Sequence, residues 1–155
     1  MGLKRILLVI NQLVEFWKKQ NIIIYTKTKQ EIDNIEKNNS LILPNDFKEF
    51  YERVNGMQNF YPNEIDDEGF LFYPIEAIIS AEKESEKCDI KDKDKIFIFS
   101  EYMHKSWLYG FEVKEDGSYL IGIIPDDKTF KPIVKSLEEF LELYIENSSK
   151  LYDYS

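Results

Sequence analysis

The residues most able to do chemistry lie together in one stretch, SEYMHKSWLYGFEV, at positions 100–113. It contains the only histidine of the chain, His104, and a serine close behind it, Ser106. The only cysteine, Cys88, precedes the stretch. A histidine that can reach a serine or a cysteine is the minimal pair from which a nucleophile and its general base are made. An enzyme would therefore be expected to use these residues.

The local pattern does not support such a pair. Ser106 has no G-x-S-x-G elbow around it, and Cys88 lies in the highly charged segment EKESEKCDIKDKDK. A single histidine and a single cysteine cannot complete a structural zinc site. The acidic run at 66–68 lacks the ligand spacing of a calcium loop, and no glycine-rich phosphate loop occurs in the sequence. We therefore expect no catalytic residue, no metal ion and no cofactor.

Alternation accounts for most of the aromatic residues in the same stretch. In WLYGFEV, Trp107, Tyr109 and Phe111 fall on one face of an extended chain, and Leu108 and Glu112 fall on the other. This pattern predicts a strand whose rings pack in a sheet. A second interpretation is that some of the rings are anchors of a protein interface, since tyrosine and tryptophan bury a large area with few rotatable bonds.

Helical periodicity marks the segments that precede the strands. Apolar residues recur at helical spacing near the N-terminus, which predicts an amphipathic helix over about residues 3–20. Thr28 and Glu31 form a capping-box pattern that opens a second helix. The segment LPNDFKEFYERVNG predicts a third helix, which Asn55-Gly56 would stop in a left-handed conformation.

Strand patterns follow the third helix. Short aromatic or β-branched runs predict strands at 69–73, 95–101, 107–113 and 119–124 and around 130–134. Asp116-Gly117 is a typical hairpin turn between two of these runs. Residues 21–26 are either a connector or a further short strand. Ser136 and Glu139 form another capping-box pattern, which opens a closing helix.

The order of these elements predicts the fold class. Helices, then strands joined by hairpins, then a helix are typical of an α+β fold, with a mostly antiparallel sheet of about four to six strands covered on one face by helices. The length suits one domain over residues 1–155. Two alternatives stay open: the N-terminal helix packs either on its own domain or on another subunit, and the protein is either a monomer or a homodimer.

The net charge of −9 is unevenly distributed. Residues 1–30 carry six lysines and arginines and one glutamate, a net charge of +5, whereas the remainder carries 14 basic and 28 acidic residues, a net charge of −14. An acidic body repels the phosphates of nucleic acids and attracts a basic protein partner. Solubility alone is the alternative explanation for such a charge.

The N-terminus has basic residues before an apolar run, as a signal peptide does, but lacks the other features of one. Its apolar run, ILLVI, is shorter than a signal-peptide core and much shorter than a membrane span, and no small-residue cleavage site follows it. A lone cysteine fits a reducing compartment better than a secreted protein. We expect a cytoplasmic protein that binds neither membranes nor nucleic acid.

Three motifs in order resemble the SUKH superfamily. LPNDFKEFYERVNG resembles its L-P-x-D/E-aromatic helix with a following N-G, IFIFSEYMHKSWLYGFEV resembles a strand pair that contains S-W-x-Y, and SLEEFLELYIENSSKLY resembles its closing helix and tail. The resemblance runs from about residue 28 to residue 152. Members include immunity proteins of bacterial contact-dependent and polymorphic toxin systems and related eukaryotic cell-wall regulators. It implies an α+β fold, no catalysis and a groove or exposed face that binds and neutralises a toxin.

The resemblance and the charge lead to one functional prediction. The protein is expected to be an immunity protein that occludes a cognate toxin, and a basic partner such as a nuclease would suit the acidic body. The predicted contacts are an acidic turn and a set of aromatic anchors: Asp66, Asp67, Glu68, Tyr61, Tyr102 and Tyr109. The alternative is a non-catalytic interaction module or scaffold whose cellular partner is unrelated to toxins.

Overall fold

The protein is described by a computed structural model that covers residues 2–57, 66 and 68–153. The helices are α1 (Gly2–Lys18), α2 (Lys29–Asn39), α3 (Asn45–Arg53), α4 (Ala81–Glu84) and α5 (Leu137–Ile145). The strands are β1 (Phe70–Phe72), β2 (Ile79–Ser80), β3 (Ile96–Tyr102), β4 (Trp107–Val113), β5 (Tyr119–Asp126) and β6 (Thr129–Val134). Short 3₁₀ turns lie at Ile75–Ala77, Lys93–Lys95 and Ser149–Tyr152.

Within the described residues, six strands form one antiparallel sheet. The strand order is β1-β3-β4-β5-β6, and β2 pairs with the other half of β3. Strand β5 ends at Asp126, beyond the predicted range 119–124, and Asp126 pairs with Thr129 of β6. The predicted α+β class and the antiparallel sheet are confirmed.

Aromatic contacts show which face of the sheet the helices cover. Phe47 of α3 lies with its ring centroid 4.3 Å from that of Phe111 and 5.3 Å from that of Phe99. Phe140 of α5 packs edge-on against the rings of Phe99 and Tyr109, at 5.2 and 5.3 Å. Alternate residues of β3 and β4 therefore point into one aromatic core beneath α3 and α5, as a strand with a period of two requires.

The N-terminal helix packs on the same face of its own chain. Its apolar stripe is buried: Ile6, Val9, Ile10, Leu13 and Trp17. The Trp17 ring lies 5.3 Å from the Phe72 ring, and its indole Nε1 donates a hydrogen bond of 2.9 Å to the Tyr144 hydroxyl. Helix α1 contacts α5 of the same chain, with the Phe16 and Tyr144 ring centroids 5.6 Å apart. Among the described residues, none of the helices combines the length and the hydropathy that a membrane span requires.

Residues 22–28 after α1 form a connector, so the alternative of a further strand there is wrong. The capping box of α2 then forms as predicted. The Thr28 side chain accepts from the Glu31 backbone N–H at 3.1 Å, and the Glu31 carboxylate accepts from the Thr28 N–H at 3.0 Å. Two backbone donors that the helix itself cannot satisfy are thereby paired.

The predicted role of Asn55-Gly56 is wrong in part. Helix α3 ends because Val54 is extended, with φ −143° and ψ 103°, so a left-handed residue does not close it. Gly56 is left-handed, with φ +60°, but it lies where the chain crosses the end of β1. A Cβ at Gly56 would lie 2.3 Å from the Tyr73 carbonyl oxygen. Asn55 fixes the same crossing, since its side-chain oxygen accepts from the Ile75 N–H at 2.8 Å.

Replacing Gly56 by alanine should destabilise the fold more than replacing the glycine of the β4–β5 turn. Gly117 also has a positive φ, +88°, but a Cβ there would have no heavy atom within 4 Å. Gly117→Ala therefore measures the backbone strain alone, about 1 kcal/mol, whereas Gly56→Ala should cost about 3 kcal/mol because backbone atoms must also move apart. Urea unfolding of both variants measures the difference, and equal losses would show that the crossing at Gly56 is not tight.

Candidate partner-binding surface

The structure brings two of the predicted contact residues, Glu68 and Tyr102, to one end of the sheet. Phe70 at the start of β1 pairs with Tyr102 at the end of β3. The Met103 N–H then donates to the Gly69 carbonyl at 2.9 Å. The turn that contains Glu68 and the loop between β3 and β4 therefore lie side by side. Glu68 is exposed, and Tyr102 is half-buried.

Two predicted contact residues are buried instead. Tyr109 is 0% exposed, because its hydroxyl accepts from the Trp107 indole N–H at 2.8 Å and donates to the Leu151 carbonyl at 2.5 Å. The turn after α5 thus covers Tyr109, which the alternation of β4 alone could not reveal. Asp66 is 5% exposed. Neither side chain is accessible to a partner in this conformation, and Tyr61 and Asp67 lie outside the described residues.

Asp66 is the centre of a buried hydrogen-bond network and is not part of an acidic surface. Its Oδ1 accepts from the backbone N–H of Phe70 at 2.7 Å and from that of Glu68 at 3.0 Å. The Tyr144 hydroxyl donates to Oδ2 and itself accepts from the Trp17 indole. Burial raises the pKa of Asp66 above its usual value of 3.8, although these hydrogen bonds act in the opposite direction. One carboxylate therefore fixes the turn before β1 and connects it to α5 and α1.

Three rings and a methionine form a surface that we call the aromatic end: Tyr102, Met103, Trp107 and Tyr152. The Tyr102 and Trp107 rings stack with centroids 4.7 Å apart and an interplanar angle of 24°. Tyr152 packs edge-on against both, at 5.3 and 6.3 Å. All three rings are half-buried, so each also contacts solvent. The sequence did not single out Met103 or Tyr152 as contact residues, and only the position of Tyr152 in the SSKLY tail pointed to it.

The loop between β3 and β4 has an unusual backbone. Met103, His104 and Lys105 are all left-handed, with φ of 48°, 53° and 65°. A left-handed conformation costs a residue with a Cβ about 1–2 kcal/mol. The Ser106 hydroxyl donates to the Met103 carbonyl at 2.8 Å and so stabilises the conformation of the loop. Backbone strain of this kind is concentrated at functional sites, which makes this loop the centre of the candidate surface.

The loop directs its residues outward. Met103 is 49% exposed, and His104 and Lys105 are also exposed. Gly69, with φ +100°, leaves room for the methionine, since a Cβ there would lie 2.4 Å from its sulfur atom. Burial raises the pKa of the adjacent Tyr152 phenol from its ordinary 10 to about 12. Across the described part of the chain, no group of three histidine, cysteine or acidic side chains could hold a metal ion.

The stability contribution of Asp66 should fall as the pH rises. Its pKa is higher in the folded than in the unfolded chain, so folding favours the protonated carboxyl, and this contribution is complete below 3.8 and lost as the pH rises through the folded pKa. Asp66→Asn keeps one of the two acceptor oxygens and does not titrate. We expect the wild-type protein to lose unfolding free energy relative to Asp66→Asn as the pH rises above 3.8 and through the folded pKa, measured by urea unfolding at a series of pH values. A constant difference between the two proteins would contradict the raised pKa.

A model of the SMI1 / KNR4 family (SUKH-1) matches residues 27–143. No curated protein matches the chain. The matched segment begins just before α2 and ends within α5, and it therefore contains the whole sheet and most of the aromatic core. Because this match extends over well more than half of the sequence, the chain belongs to the SMI1/KNR4 family (SUKH-1).

Proposed function

We propose that this protein is an immunity protein that binds a cognate toxin of a bacterial polymorphic or contact-dependent system and occludes it. Membership of the SUKH-1 family is the observation that carries the proposal. The aromatic end supports it, since tyrosine, tryptophan and methionine are favoured at the centres of protein interfaces. The protein would act in the cytoplasm, where its toxin arrives.

Strand addition is a poor route to this binding, because the edges of the sheet are protected. At one edge, β6 contains Pro132, which has no N–H to donate to an added strand. At the other edge, β1 is a strand of only three residues. Short edge strands and edge prolines both hinder pairing with another chain. The partner is therefore expected to contact loops and faces, and the loop Met103–Lys105, whose three residues are all exposed, is one of these.

The charge of the chain indicates the kind of toxin. A net charge of −9 would speed the encounter with a basic protein, and many nucleases are basic because they bind phosphates. Occlusion needs no catalytic group on the immunity protein. His104 accordingly has a place in this proposal as an exposed residue of the loop and not as a general base.

Co-expression with the product of the neighbouring gene tests the proposal. The gene of an immunity protein should lie directly downstream of a toxin gene, and its product should restore the growth of cells that make the toxin and should co-purify with it. Co-purification with a cellular protein, without rescue from the neighbouring product, would favour the alternative of an interaction module unrelated to toxins.

Met103→Ser should weaken toxin binding with little effect on the fold. An exposed apolar side chain at an interface centre can contribute a tenfold change in Kd, about 1.4 kcal/mol. Ile42→Ser is the matched control, because Ile42 is 61% exposed but lies on the connection between α2 and α3. Titration calorimetry should show at least a tenfold loss for Met103→Ser and no change for Ile42→Ser. If Met103→Ser and Ile42→Ser bind the toxin with equal affinity, the aromatic end is not part of the interface.

The acidic residues Asp67 and Glu68 should act on the rate of association. Asp67→Ala with Glu68→Ala is expected to slow association with a basic toxin about threefold at low salt and to reduce the salt dependence of that rate. Asp66 stays unchanged in this variant, because its carboxylate is part of the interior. Stopped-flow mixing at several salt concentrations makes the measurement. Unaltered kinetics would show that these two residues lie outside the path of encounter.

A further inference from the structure

A groove crosses the face of the sheet that α1, α3 and α5 leave open. Its floor is made by Ile98, Leu108 and Ile124, and the register pairs Leu108 directly with Ile124. These residues point away from Tyr109 and Phe111, which face the helices. The cavity has a volume of about 280 Å³. Pockets for drug-sized ligands measure about 300–1,000 Å³, so this groove suits a long side chain with its neighbours better than a cofactor.

The walls of the groove come from distant parts of the sequence. Ala81 and Cys88 line one side, and the loop between β3 and β4 lines another. The Asp89 N–H donates to the Asp127 carbonyl at 2.6 Å and so joins the first wall to the turn after β5. Trp107 belongs to the aromatic end and also lines the groove. The two surfaces are therefore neighbours that share this residue.

The rim of the groove is acidic. Glu84, Asp126 and Asp127 line it, and among the described lining residues Lys105 is the cation. The backbone N–H of Lys128 lowers the pKa of Asp126, so this carboxylate stays ionised over the physiological range. The rim therefore carries a net charge of −2 above an apolar floor. A lysine or arginine side chain combines an aliphatic stem with a cationic head and is complementary to such a surface.

One lysine of the chain itself, Lys105, already pairs with a carboxylate of the rim. Its ammonium group lies 3.0 Å from Glu84 Oε1. The side chain of Lys105 remains half-exposed, and ion pairs at exposed positions contribute little to stability. An external cation could therefore replace Lys105 at Glu84 with little loss to the fold.

We propose that this groove binds a lysine or arginine side chain, flanked by aliphatic residues, from a partner protein, and that this side chain displaces Lys105 from Glu84. The bound stem lies on Leu108 and Ile124, and the cationic head is shared among the three rim carboxylates. The groove requires a basic protein partner and does not require that the partner be a toxin.

Titration of the full-length ¹⁵N-labelled protein with a short peptide tests the proposal. The probe is acetyl-Ala-Leu-Lys-Leu-Ala-amide, and the matched control peptide carries norleucine in place of lysine. The lysine peptide should shift the amide signals of Ile98, Leu108 and Ile124 and the indole signal of Trp107. The norleucine peptide should bind at least about fivefold more weakly, since it lacks the charge.

Three variants of the protein make the test specific. Lys105→Met keeps the stem but removes the competing cation and should raise the affinity for the lysine peptide about threefold. Asp126→Asn with Asp127→Asn should lower it about fivefold, whereas Asp33→Asn with Glu115→Gln, which removes the same charge at exposed positions elsewhere, should leave it unchanged. Signals away from the groove report that each variant is folded.

Equal affinity for the two peptides, signal changes confined to other surfaces, or an unaltered affinity in Lys105→Met would each overturn the proposal. None of these results would bear on toxin neutralisation, because rescue and co-purification measure that function separately. The two proposals can therefore fail independently.

Discussion

A buried chain of hydrogen bonds from Trp17 through Tyr144 to Asp66 is the interaction on which the candidate surface depends. Each member comes from a different part of the sequence, and a buried polar group without a partner costs about 1–3 kcal/mol. The three groups can therefore be buried only together. Asp66 also binds the N–H of Phe70, the first residue of β1, and Phe70 lies beneath the rings of the aromatic end. The interior network thus positions the exposed rings.

The strained loop connects this interior to both surfaces. Glycine would adopt the left-handed conformation of residues 103–105 without steric cost, yet the chain has a methionine, a histidine and a lysine there. The Tyr102–Trp107 stack and the hydrogen bonds of Ser106 hold the loop in this shape. As a result, Met103 is presented at the aromatic end and Lys105 at the groove. A flexible glycine loop would present neither side chain in a defined place.

The open face of the sheet is shaped by glycines as well as by side chains. Gly110 and Gly122 lie opposite each other in β4 and β5. A Cβ at Gly122 would lie 2.8 Å from atoms of the Phe130 ring, so this ring packs directly on the backbone there. Close approach of this kind is what the two glycines within strands indicated in the sequence. The branched residues beside them, Leu108 and Ile124, then form the floor of the groove.

The sequence by itself determined what depends on neighbours along the chain. The α1 stripe, the Thr28–Glu31 capping box, the strands and the hairpin at Asp116-Gly117 are set by periodicity and turn chemistry, and the ordered motifs were sufficient for the family. It also predicted a left-handed backbone at Gly56, although for the wrong reason, because the crossing over β1 is a contact between distant segments.

Only the tertiary structure decided which polar and aromatic residues are accessible. Tyr102 and Tyr109 were both predicted contact residues, but Tyr109 is buried, with its hydroxyl bonded to the Leu151 carbonyl, whereas Tyr102 is half-buried. In the sequence, Asp66 belongs to an acidic turn. In the folded chain it is buried and accepts a hydrogen bond from Tyr144, which lies far along the sequence. Lys105 and Glu84 are likewise brought together only by folding. Burial depends on what packs from distant segments, and no local pattern contains that information.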